Sequence, residues 1–124
     1  MCQEFEIEVH DEIIPRIAFG FGGGIGNTGA VCGAVVGGVM AIGVKEERGE
    51  SMEDWFRIAG VAQEFRRRFE AEMGTINCRE LTGADLTTEE GMNQLMNSDT
   101  PQKVCFPAVG AAYRAVVDLL QETT

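Results

Sequence analysis

The sequence predicts an all-α protein, a single-domain bundle of about five to six helices around a Gly-rich buried helix. Three observations lead there. Apolar residues recur at three- and four-residue spacing in several segments. No segment sustains the two-residue alternation of a strand. The chain has 124 residues and is 44% hydrophobic, enough for one core and short of two comfortable ones.

Taken in order, residues 1–10 read as the end of one helix, with Met1, Phe5 and Val9 four apart. No capping residue precedes them, so the single domain at 1–124 is expected to lack part of its N-terminal helix. A second helix is expected from Asp11 to about Phe19, with Pro15 near its first turn. Gly20 to Gly29 then form a loop, and a buried helix with a narrow waist runs from about Thr28 to Val44. In that helix Gly29, Gly33 and Gly37 fall four apart, as do Ala30, Ala34 and Gly38. Such ridges let another helix approach the backbone, at up to roughly 1 kcal/mol of helix propensity per glycine.

Ser51 to Met73 gives the clearest helix. Ser51 and Asp54 form an imperfect capping box, and Gly74 supplies a C-terminal stop. Trp55, Ile58, Ala59, Ala62, Phe65, Phe69 and Met73 make its apolar stripe. Thr87 or Thr88 caps a short helix reaching about Asn97. After Pro101 a last helix runs to about Gln121, with Val104, Cys105, Ala108, Ala112, Ala115, Val116 and Leu119 inward. Met92, Met96 and Phe106 are expected in the core or at an interface.

Charge narrows the function. The formal net charge is −10, and nucleic-acid binding needs a basic surface that this chain does not offer. The one basic cluster, Arg66-Arg67-Arg68, lies among acidic neighbours and reads as a solvated helix face. The uncharged run from Ala18 to Val44 is long enough to cross a bilayer. It is poor in Leu and Ile and broken by a glycine loop, so it is expected inside a soluble bundle, not in a membrane. The N-terminus carries no secretory pattern, which makes the cytoplasm the default location. In a reducing compartment, thiols, metal ligands or redox groups are expected before structural disulfides.

Cys32, Cys78 and Cys105 are far apart in sequence, and no CxxC pair exists. A shared site would have to be assembled by the fold from three separate helices. Thiolates are soft ligands that select iron–sulfur clusters, zinc or copper(I), and without a metal the same thiols could cycle between dithiol and disulfide. Cys78 is placed to begin a short helical turn, whose dipole would favour its thiolate. Cys32 and Cys105 are expected to be more buried. The plain alternative is that all three merely fill space.

The run FGGGIGNTGAVCGAVVGGVMAIG, a long amphipathic helix ending before INCRELTG, and KVCFPAVGAA together resemble the C_GCAxxG_C_C family of redox-active proteins. That family is named for its cysteines and Gly-rich motif, here Cys32-Gly33-Ala34-x-x-Gly37. The resemblance spans about Glu4 to Leu120. It implies a helical domain with four characteristic cysteines, and it is similar to the C-terminal domain of split-Soret cytochromes, where cysteines hold an iron–sulfur cluster. The resemblance therefore implies Cys32, Cys78 and Cys105 as redox thiols or metal ligands, and a [2Fe–2S] cluster or another soft metal as cofactor. It sets the family's first cysteine in an N-terminal helix upstream of Met1, with Cys2 as the alternative fourth. Gly24, Gly26, Gly29, Gly33 and Gly37 would shape the loop and helix beside the site.

Gly24-x-Gly26-x-x-Gly29 also matches the dinucleotide fingerprint, but that pattern needs a strand before it and a βαβ unit around it. A glycine hinge tucked against the cysteines is the expectation, or loop amides that cradle an anion or sulfur atom. His10 is expected at a solvated turn, and the carboxylates of Glu53, Asp54, Glu89 and Glu90 at helix starts. Three function classes follow: a redox or electron-transfer protein serving a partner protein, a soft-metal binding or sensing module, and a structural protein with inert cysteines. A homodimer through the small-residue helix fits any of them. Assignment as an enzyme would need a pocket and a proton donor that the sequence does not name.

Overall fold

A computed structural model describes residues 12–46 and 49–122. Among them are six α-helices: α1 Ile13–Ala18, α2 Gly33–Glu46, α3 Met52–Met73, α4 Cys78–Thr82, α5 Glu89–Met96 and α6 Phe106–Glu122. A 3₁₀ turn, Phe19–Phe21, follows α1, and a π turn, Pro101–Cys105, leads into α6. The described residues hold no strand, only an isolated antiparallel bridge between Val31 and Asn77. The architecture is an all-α bundle.

The helix ends follow from local chemistry. The Ser51 hydroxyl accepts from the Asp54 amide at 3.1 Å, and the Asp54 carboxylate accepts from the Glu50 amide at 3.2 Å. Gly74 stops α3 at φ 90°, its amide donating to Glu70 O. Thr88 caps α5 by accepting from the Gly91 amide at 2.9 Å. Each cap is worth about 1 kcal/mol.

The core lies where α2, α3 and α6 pack on one another. Phe65 and Phe69 of α3 are fully buried, against Val35 and Ile42 of α2 and the alanine-rich face of α6. Burying each ring contributes about 1.5–3 kcal/mol. The close approach occurs at Gly38. A Cβ there would stand 2.3 Å from the Phe65 ring tip, whereas Gly37 faces open space. Of the two small-residue ridges, the one through Gly38 therefore meets α3.

Three expectations are corrected. The Gly-rich helix begins at Gly33 instead of Thr28, because the carbonyls of Gly29 and Ala30 accept from the Arg79 and Cys78 amides. Trp55 lies off the buried stripe, 58% exposed in the first turn of α3, its ring 5.3 Å from that of the similarly exposed Phe56. Met96 and Phe106, expected in the core or at an interface, lie outside the core, 66% and 64% exposed.

The arginine cluster is a solvated, self-paired face. Arg66 bonds Glu70, Arg67 bonds Glu64, and Arg68 bonds both Glu64 and Glu122. Two arginines hold the Glu64 carboxyl down to about 2. The run from Ala18 to Val44 is divided by the loop. Among the described residues, one helical run, Pro101–Glu122, is long and apolar enough to cross a membrane, and its inner face is the core just described.

Candidate functional site

The segment before α2 is fastened to the segment before α4. The Cys32 amide donates to Ile76 O at 2.7 Å, the Cys78 amide to Ala30 O at 2.8 Å, and the Arg79 amide to Gly29 O at 3.1 Å. Cys32 thus stands directly before α2, its carbonyl accepting from Val35 and Val36, and Cys78 is the first residue of α4. Gly24 makes this fit possible. Its φ is 74°, and a Cβ there would lie 2.7 Å from the Cys78 Cβ and 2.6 Å from Ala30 N. The Thr28 hydroxyl secures the loop by donating to Gly24 O at 2.7 Å and Ile25 O at 2.8 Å. Ile25 has φ 61°, a left-handed conformation that costs a branched residue about 1–2 kcal/mol.

The result is one cavity of about 260 Å³ lined by Cys32, Cys78 and Cys105 together. The glycine loop contributes Gly22, Gly23, Gly24 and Asn27; α4 contributes Leu81 and Thr82; α5 contributes Met92 and Leu95; and Val104, Ala108 and Val109 flank Cys105. Cys105 is carried by the last residue of the π turn, where the Phe106 amide donates to Pro101 O. Such wide turns recur at functional sites.

The electrostatics favour the neutral form of two of the thiols, Cys78 and Cys105. Burial pushes the Cys78 thiol up, neighbouring Cys32 and Cys105 push it further, and the Thr82 hydroxyl pulls it partly back. Burial and then Cys32 raise the Cys105 thiol. Among the described residues, no carboxylate, ammonium, guanidinium or imidazole lines the cavity. Here the structure reverses an expectation. Cys78 does start a helical turn, yet it is the most buried of the three, and desolvation outweighs the dipole of a five-residue helix. Cys32 and Cys105 are half-buried.

Of the glycines named from sequence, Gly24 and Gly33 line the cavity. Gly29 packs its backbone on Arg79, Gly26 faces open space, and Gly37 lines a separate groove between α2 and α6. Cys2 and His10 lie outside the described residues. The glycine run follows a 3₁₀ turn, so the strand that a dinucleotide site requires is missing from its place. The sequence placed Met92 only in the core or at an interface; its spacing from Leu95, one turn along α5, was the signal that both face the same side.

Whether a soft metal fits is a question of donors and spacing. The donors are right, since three thiols share an apolar chamber. The spacing is looser than a finished site, because no three His, Cys, Asp or Glu side chains among the described residues are gathered closely enough to hold one ion.

A family described as "Putative redox-active protein (C_GCAxxG_C_C)" matches residues 1–119. The chain reads Cys32-Gly33-Ala34 where that printed pattern reads Gly-Cys-Ala. No curated protein and no solved structure matches the chain.

Proposed function

The chain belongs to the C_GCAxxG_C_C family, and from that premise we propose that its redox centre is the cysteine cavity, with Cys32, Cys78 and Cys105 serving as ligands to a thiophilic metal group. One observation carries the reading. Three cysteines from three separate elements line the same apolar chamber, whereas cysteines that only fill space have no reason to share one. A [2Fe–2S] cluster or copper would supply one-electron chemistry there, which zinc would not.

The chain's own residues would do the rest. Leu81, Leu86, Leu95 and Val109 keep water from the sulfurs. The backbone clamp between the glycine loop and α4 fixes Cys32 relative to Cys78, so that binding need not order them. A coordinating thiol gives up its proton to solvent, and a cation replaces that proton as the partner of the sulfur. A thiol–disulfide exchanger is less well supported. Exchange requires thiolate, and burial holds Cys78 and Cys105 protonated.

The test is anaerobic purification followed by iron, sulfide and zinc analysis with a visible spectrum. Stoichiometric metal, lost or held more weakly as the cavity cysteines are replaced by serine, is expected. Metal-free protein whose three thiols react independently would defeat the reading.

A further inference from the structure

We infer that Met92 gives the cysteine cavity a fourth sulfur donor and that the donors so assembled suit a soft monovalent cation, Cu(I). The inference rests on the reading that the thiols of this cavity are metal ligands. Met92 lines the chamber together with Cys32, Cys78 and Cys105, and it packs against the small apolar group built on Cys78, Ala84 and Leu86.

Coordination chemistry then separates the candidate metals. Thiolate and thioether together are the ligand set that selects Cu(I). Structural zinc asks for four ligands in a tetrahedron, and an iron–sulfur cluster is ordinarily held by four thiolates. The described residues offer three thiols, and these do not close around one ion. Cu(I) is satisfied by two or three sulfurs, so a pair of thiols and the Met92 thioether suffice.

Charge favours the same combination. Two thiolates and Cu(I) make a complex of charge −1, and a neutral thioether adds a donor without adding charge. A third thiolate would take the complex to −2 in a chamber where no cationic side chain among the described residues offsets it. Each thiol that coordinates releases one proton to water, and no electron is exchanged on binding.

The test uses the full chain under anaerobic conditions, with Cu(I) delivered in competition with the chelator bathocuproine disulfonate. One Cu(I) per chain is expected for the wild type, and Met92→Leu should weaken binding by on the order of tenfold or more. Met96→Leu, an exposed methionine outside the cavity, should leave the affinity unchanged. Copper-edge absorption of selenomethionine-labelled protein should show a copper–selenium path that Met92→Leu abolishes. Equal affinity in Met92→Leu, or no such path, overturns the inference. A wild type that refuses Cu(I) but takes up iron and sulfide also overturns it, and leaves the thiol-ligand reading standing. Refusal of every metal ends both.

Discussion

The amide of Cys78 donates to the carbonyl of Ala30 at 2.8 Å, which hangs one thiol-bearing residue from the strand of loop that leads directly to another. The site therefore depends on the glycine loop as much as on the cysteines. Gly24 is the tightest point of that contact, with positive φ and no room for a methyl group. Gly24→Ala should cost about 2–4 kcal/mol, from the left-handed backbone and the overpacking together. Gly26→Ala shares the positive φ but meets open space, and should cost only about 1–2 kcal/mol. Urea unfolding of the two variants checks the difference. Equal losses would mean that the loop is not pressed onto Cys78.

Gly38 and Gly37 make a second matched pair. An alanine at 38 would strike the Phe65 ring, and the core should lose about 1–3 kcal/mol by overpacking. An alanine at 37 meets nothing and improves helix propensity, so it should be neutral or stabilising by up to about 1 kcal/mol. Thermal unfolding distinguishes the outcomes, and a double-mutant cycle of Gly38→Ala with Phe65→Leu should show coupling.

Raised thiol values predict both slow chemistry and a definite pH dependence. In the metal-free chain Cys78 and Cys105 are held protonated by burial. Their alkylation near neutral pH should be slower than that of a free thiol, and should accelerate when the protein is unfolded. Raised values in the folded state mean that it binds more protons than the unfolded chain across the ordinary thiol range. The associated stability is thus fully present below that range and is lost as pH rises through the raised folded values. Denaturation measured from pH 7 upward tests the sign.

Glu64 supplies the acid-side counterpart. Arg67 and Arg68 hold its carboxyl near 2, from an ordinary 4.5. Its contribution is present above the ordinary value and fades as pH falls towards 2. With Arg67 exposed and Glu64 and Arg68 only half-buried, these ion pairs should matter little to stability and weaken with salt. An NMR titration of the Glu64 side chain should find the depressed midpoint at low ionic strength, moving upward when Arg67 and Arg68 are both replaced by Met.

Much of the fold was legible because helix ends are written locally. Ser51, Gly74 and Thr88 act where their side chains or backbone freedom say they should, and the Phe65/Phe69 stripe identifies the inner face of α3. The start of α2 was not legible. Residues 28–32 continue the four-residue spacing of small residues in α2, but their backbone groups are claimed by residues 76–79, a long-range pairing with no local signature. Trp55 misled for a different reason: periodicity assigns a residue to a face and does not say how deeply that position is buried. The candidate site was legible as three cysteines, through their place in a recognisable motif and not through any spacing rule. Which of them is most buried depended on where five residues of α4 settle in the bundle, and Met92 entered only once α5 was seen to wall the same chamber.

The most direct measurement is an anaerobic redox titration of the metal-loaded protein, followed by its visible absorption, for the wild type and for Cys32→Ser, Cys78→Ser and Cys105→Ser. One reversible transition in the wild type, shifted or abolished in all three variants, is the result expected if the cavity is a single redox centre. A transition that survives unchanged in every variant would contradict the account.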